Sequence, residues 1–224
     1  MMTRRYREQL KFLALFLVAL FVDYVDGFAP TSQGKVSTSD RTATTLLQST
    51  AETVDEAYKP YQGEQPKEAL SEVFIPQVMP DVDEELLWVP QTDTVSFRPL
   101  CFCVSSGYYV NLLRVKGAGL LSRHKHPGPV HGHVLKGKWK YLEHDWVAEQ
   151  GSYVFEPPGE IHTLVVPQGV GEMITLFHVT GSLLYCDPEG KVVGAEDVFT
   201  KLELAKKHYK EVGLGEDFVE QFVR

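Results

Sequence analysis

Residues 151–162 read Gly-Ser-Tyr-Val-Phe-Glu-Pro-Pro-Gly-Glu-Ile-His, and residues 124–137 read His-Lys-His-Pro-Gly-Pro-Val-His-Gly-His-Val-Leu-Lys-Gly. Both stretches have the rhythm of short strands broken by turns. Apolar and aromatic residues alternate with polar ones, and Pro157, Pro158 and Gly159 form a tight turn just before His162. Five of the eight histidines of the chain lie in these two segments. On a strand, His124 and His126 point to one face because side chains alternate with period two. A neighbouring strand that begins at His162 brings a third imidazole to the same face. His124, His126 and His162 are therefore the candidate ligands of one metal ion.

The same rhythm runs through most of the chain. Val95–Val104, Tyr108–Val115, Leu120–His126, His133–Leu135, Lys138–Glu143, Ser152–Phe155, His162–Val166, Met173–Val179 and Leu183–Cys186 are short apolar alternations with Gly, Pro or Asp in most of the gaps. This predicts an all-β antiparallel sandwich or barrel rather than an α/β fold. Helical spacing is confined to the tail. Glu196–Lys210 places Val198, Leu202, Leu204 and Ala205 at helical spacing and ends at Gly213-Leu-Gly215, and Glu216–Val223 forms a last short helix.

Composition narrows the function. The 224 residues carry 43% apolar and 23% charged side chains, as in an ordinary soluble domain, with a formal net charge of −8. No basic stripe offsets that charge, so nucleic acid is not the expected partner. Cys101, Cys103 and Cys186 are too few for a disulfide framework and are expected as reduced core thiols.

The N-terminus reads as an address. Arg4, Arg5 and Arg7 precede Phe12–Val22, an unbroken apolar run of eleven residues. That is short of the roughly 20 residues that span a bilayer but suits a signal peptide over residues 1–27, with Val25 and Gly27 at −3 and −1 of the cut. After cleavage no membrane segment is expected. Residues 28–50, opening Phe28-Ala-Pro and rich in Ser and Thr, resemble the second part of the presequences of algae with secondary plastids. Plastid delivery and secretion with a disordered linker both remain open. Residues 51–80, broken by Pro60, Pro66, Pro76 and Pro80, form a polar arm with one short helix expected around Lys67–Phe74. Residues 81–195 are then the barrel, and 196–224 a C-terminal helical extension.

Two further groups accompany the histidine triad. In Lys138-Trp-Lys-Tyr-Leu-Glu143, the lysines take one face, which puts Trp139, Tyr141 and Glu143 on the other, inside the barrel. An inward carboxylate is costly unless a charge or metal meets it. Glu143 is thus expected either to coordinate the metal or to orient a ligand histidine or bound water. His131 is expected as a catalytic or cavity residue, with ligation a further option, and His133 shares its face. A face of three neutral imidazoles leaves a divalent charge uncompensated and favours an anionic chelating ligand, such as the enolate of a hydroxyketone or a β-diketone. Imidazoles do not choose among iron(II), zinc and manganese.

Gly151-x5-Pro157-x-Gly159-x2-His162 resembles the second motif of the cupins, with Val166 in place of its terminal Asn. Gly119, His124, His126 and Gly137 approximate the first motif, whose Glu is absent. The resemblance implies a cupin jelly-roll β-barrel that assembles as a homo-oligomer. The strings Arg123–Gly132, Lys138–Trp146 and Gly151–Thr163 are similar to the 2,4'-dihydroxyacetophenone dioxygenases, over about Pro80–Val179. These cupins use non-haem iron and O2 to cleave an aryl hydroxymethyl ketone into an aryl carboxylate and formate. The resemblance implies His124, His126 and His162 as iron ligands, with Glu143 as their acidic companion. The alternatives are a non-catalytic zinc- or iron-binding sensor of the anti-sigma-factor type, and a zinc or manganese isomerase or lyase.

Overall fold

The computed structural model describes residues 59–79 and 84–224. The presequence read at 1–27 and 28–50 lies outside them, as do residues 51–58 of the arm. The chain divides into two units, Met1–Gln65 and Pro66–Arg224, and among the described residues the second holds the strands and helices.

Twelve strands build it: β1 (Val89–Pro90), β2 (Val95–Cys103), β3 (Tyr108–Lys116), β4 (Gly119–Lys125), β5 (Val130–Lys136), β6 (Lys138–Tyr141), β7 (Ala148–Glu149), β8 (Tyr153–Glu156), β9 (His162–Val166), β10 (Glu172–Thr180), β11 (Ser182–Cys186) and β12 (Val192–Asp197). They form two antiparallel six-stranded sheets, β1-β2-β3-β10-β5-β8 and β12-β11-β4-β9-β6-β7, in a jelly roll. The interior follows from alternation. In β10, Met173, Thr175, Phe177 and Val179 are all buried and face the opposite sheet. Phe97, Trp139, Tyr141, Leu164 and Val166 complete this core, and the tail contributes Val198, Leu202, Ala205, Tyr209, Val219 and Phe222 to it. Burying a side chain such as Phe97 or Met173 contributes about 2 kcal/mol. A smaller cluster of Trp88, Leu100, Leu112 and Ile174 covers the outer face of the first sheet, with Ile75 and Val78 packed on it.

Two sequence expectations change. Lys67–Phe74 makes only a turn, in which the Pro66 carbonyl accepts the Ala69 N–H at 3.0 Å. Its apolar residues Leu70 and Phe74 stay 70% and 83% exposed, so no buried stripe offsets the cost of nucleating a helix. At the other end, Glu196 is not helical. It pairs with Leu183 as part of β12, and the helix α1 starts at Val198 and runs to Glu211. A capping box sets that start. Asp197 Oδ1 accepts the Thr200 N–H at 2.9 Å, and Thr200 Oγ1 accepts the Asp197 N–H at 2.7 Å. Glu216–Phe222 is a 3-10 helix.

Gly137 makes the turn between β5 and β6 at φ +70°, and a Cβ there would collide with the Glu172 carbonyl. Gly137→Ala is expected to cost about 2 kcal/mol of backbone strain before any clash. The melting temperature should fall by roughly 5 °C or more; an unchanged value in a thermal unfolding scan would show that the turn gives way freely.

Candidate metal centre

His124 and His162 are direct cross-strand partners between β4 and β9, so their imidazoles meet on the inner face, with centroids 4.7 Å apart. His126 lies one residue past β4, and its ring is 5.0 Å from His124 and 5.9 Å from His162. The turn before β9 is tied to that point, because the Gly159 N–H donates to the His126 carbonyl at 2.8 Å. Gly159 has φ +95°, a conformation that glycine adopts without strain. The proline-glycine turn thus fixes where His162 enters the sheet relative to His126.

A fourth group completes the cluster. Glu156 ends β8, is 3% exposed, and brings a carboxylate oxygen within 4.8 Å of a ring nitrogen on each of the three histidines. Its Oε1 accepts the Tyr141 hydroxyl at 2.7 Å. Its Oε2 has no hydrogen-bond partner and lies 3.5 Å from the Nε2 atoms of both His126 and His162. These contacts are not ion pairs. Burial pulls His126 and His162 down to about 4 and His124 well below its ordinary value, while burial pushes Glu156 up to about 7. Four buried titratable groups thus converge with their charged forms disfavoured, and the Nε2 of His162 is also left without a partner.

The surroundings set the ring orientations. His126 Nδ1 lies 3.1 Å from the Ser182 carbonyl, which only an N–H can satisfy, so its Nε2 carries the lone pair and faces the cluster. His124 Nδ1 is 3.1 Å from Ser122 Oγ. Tyr141 stacks flat on His162, with centroids 3.8 Å apart and planes 7° from parallel. Three nitrogens and one carboxylate oxygen, two of these groups with orphaned atoms, form a donor set that fits a divalent transition metal.

The structure places the other expected site residues elsewhere. β6 ends at Tyr141, and Leu142 and Glu143 belong to the turn beyond it, so the alternation that would carry Glu143 inward stops two residues short. Glu143 is exposed. Its Oε2 accepts the Thr163 N–H at 2.7 Å and its Oε1 the Thr163 hydroxyl at 2.8 Å. Slight burial raises its carboxyl, but the hydrogen bonds from Thr163 outweigh this and leave it below the usual value. Glu143 therefore latches the residue next to His162 from outside. His131 and His133 also point outward. β5 begins at Val130, so Val130, Gly132 and Val134 take the inner face. On the outside, His131 Nδ1 meets Tyr153 Oη at 2.8 Å, and the His133 ring lies 5.0 Å from that of Tyr153.

Glu156 was legible in principle. In Tyr153-Val-Phe-Glu156 the two aromatics share one face, so Val154 and Glu156 share the other. Assigning the aromatics to the interior sends Glu156 outside. The structure has the reverse, with Tyr153 and Phe155 54% and 51% exposed.

His124, His126, Glu156 and Tyr141 line one wall of a cavity between the sheets whose empty volume, its open mouth included, is about 790 Å³. Leu113, Val130, Phe177, Val179 and Leu183 make its sides apolar.

Residues 80–184 match the family model of the ChrR cupin-like domain. An RmlC-like cupin protein from Ralstonia eutropha JMP134 is 30% identical over 56% of this chain and 83% of its own, with a TM-score of 0.54. The chain is a cupin. A second protein of that organism, with a cupin-like fold, is 23% identical over 56% of this chain and 78% of its own, at a TM-score of 0.53. The acetylacetone dioxygenase from Acinetobacter johnsonii shares the fold at 17% identity, covering 66% of this cupin and 99% of its own chain, with a TM-score of 0.54. No curated protein matches the sequence. Among the described residues of this cupin, no helix is long and apolar enough to cross a membrane.

Proposed function

We propose that this cupin is a non-haem iron dioxygenase that uses O2 to cleave the carbon–carbon bond beside a ketone. The aryl hydroxymethyl ketones are its substrate class, converted with one O2 to an aryl carboxylate and formate. The observation that carries this reading is the buried His124–His126–Glu156–His162 cluster beside a cavity with apolar sides. The shared fold with a protein named acetylacetone dioxygenase supports it, since acetylacetone is also an enolisable ketone.

His124, His126 and His162 would hold the metal, and Glu156 takes the place of the missing motif glutamate as the fourth donor. Iron(II) bound there supplies O2 activation and the Lewis acidity that makes an enolisable ketone a stronger carbon acid. The protein does the rest. Tyr141 fixes Glu156 through Oε1 and His162 through its ring, the Ser182 carbonyl fixes the tautomer of His126, and the apolar walls exclude water from the reacting carbon. Oxygen uptake with 2,4'-dihydroxyacetophenone by the iron-loaded protein tests the reading.

Burial also sets a pH dependence. Ligation needs neutral imidazoles, and His126 and His162 stay neutral until pH approaches about 4. Metal affinity should therefore weaken first near pH 7, where the buried Glu156 carboxylate takes up its proton, and metal content should vanish only between pH 5 and 4. Complete loss by pH 6, where an unburied imidazole would already be largely charged, would contradict this. In the metal-free fold the two histidines act with the same sign, and Glu156, pushed up to about 7, with the opposite one. Folded values below 6.5 mean that stability present above 6.5 is lost as pH falls toward 4.

The match to the ChrR cupin-like domain favours a second reading, a non-catalytic zinc or iron sensor with a protein partner. Tight zinc without O2 uptake would select it. For the N-terminus we propose secretory entry by a signal peptide ending near Gly27, followed by plastid delivery that depends on Phe28. N-terminal sequencing of the mature protein and localisation of a Phe28→Ala fusion test both steps.

A further inference from the structure

The cavity has a second polar end that the metal cluster does not use. Lys201 of α1 and Glu196 of β12 are 4% and 8% exposed and line the same cavity, together with Gln91, which follows β1. They form a closed triad. Lys201 Nζ lies 2.9 Å from Glu196 Oε1 and donates to Gln91 Oε1 at 3.0 Å, and Gln91 Nε2 donates to Glu196 Oε2 at 2.7 Å. The ammonium also sits over the Phe97 ring, 4.1 Å from its centroid, so its charge is absorbed within the wall. A buried ion pair is poor evidence of a stability role, because well-packed apolar side chains serve as well or better. This one keeps hydrogen-bonding capacity at the cavity wall. One Gln91 amide hydrogen and a lone pair on each Glu196 oxygen remain after the triad's own bonds.

Strand pairing places this end two strands from the metal cluster in the same sheet. Glu196 pairs with Leu183, and the next residue, Leu184, pairs with Lys125, between His124 and His126. Two strand spacings, about 10 Å, separate the two ends. Tyr109, Val179 and Leu183 also line the cavity.

We infer that Gln91, Glu196 and Lys201 form a subsite for a neutral hydroxyl at the far end of the substrate, a phenol or an alcohol, seated while the ketone end lies at the metal. The charges in the triad cancel. An anion would meet Glu196 and a cation would meet Lys201, but a hydroxyl donates to Glu196 and accepts from Gln91 without breaking the pair. The inference rests on the ketone-cleaving reading for the orientation of the substrate, and its test is independent of turnover.

The experiment is anaerobic titration calorimetry of the full-length, metal-loaded protein with 2,4'-dihydroxyacetophenone and with 2-hydroxyacetophenone, which lacks the ring hydroxyl. Wild-type protein should bind the ring-hydroxylated probe about tenfold or more tightly than the other, as expected for a hydrogen bond to a charged group. The preference should shrink to within about twofold in Gln91→Leu and in the double variant Glu196→Leu, Lys201→Met. The double change removes both charges together, so no unpaired ion remains to unfold the protein. Metal content and melting temperature serve as controls, and a role limited to anchoring α1 would leave the probe preference intact. No preference in wild type, a preference that survives both variants, or no binding of either probe overturns the inference. Preferential binding without O2 uptake supports the subsite and removes the dioxygenase reading alone.

Discussion

His162→Ala is expected to leave the protein without its metal. His162 is 1% exposed, is paired with His124 across the sheet and is stacked on Tyr141, so its nitrogen is delivered to the cluster by two independent constraints. Removing one of the three nitrogen donors leaves two imidazoles and one carboxylate, a poor set for a divalent ion. Metal analysis after gel filtration should show occupancy falling from near stoichiometric to a small residue, and O2 uptake should fall with it. The cavity left by the ring also removes packing from Tyr141. Circular dichroism and a melting scan must therefore confirm that the variant is folded before the loss is assigned to ligation. Full iron occupancy in a folded His162→Ala protein would refute the triad.

The second large effect is a contrast between two glutamates. Glu156→Ala should weaken metal retention by roughly 10- to 100-fold or more, because it deletes the fourth donor and releases Tyr141 from its hydrogen bond. Glu143→Ala removes a surface latch on Thr163 and should cost about 1 kcal/mol of stability, with metal content close to wild type. Competition with a chelator of known affinity measures both variants on one scale. Equal losses in the two would mean that the latch, not the fourth donor, governs the site. An intact Glu156→Ala site would remove the carboxylate from the coordination set.

How far the sequence reaches can be seen at these residues. The period-two pattern puts nine strands close to where they lie, most clearly in β5 and β6, where one face is buried and alternation is enforced. The histidine triad was readable for the same reason, since His124 and His126 are two apart and Pro157, Pro158 and Gly159 locate the start of β9. Alternation extended past the end of β6 carries Glu143 inward, but the turn at Leu142 and Glu143 releases the pattern. Tyr153 and Phe155 look like core residues, yet they are exposed and the Glu156 carboxylate on the other face is buried. That inversion is what a site does to a local rule, since a buried carboxylate without a function is selected against. The triad at the other end of the cavity was out of reach. Gln91 and Lys201 are 110 positions apart in the chain, and the strand that carries Glu196 reads as the start of a helix.

The most direct test of the central claim is metal analysis of anaerobically purified protein, followed by oxygen-electrode measurement with 2,4'-dihydroxyacetophenone. The account predicts about one iron per chain and one O2 consumed per ketone cleaved, with formate released. Stoichiometric zinc that iron does not replace, with no oxygen consumed, would contradict it.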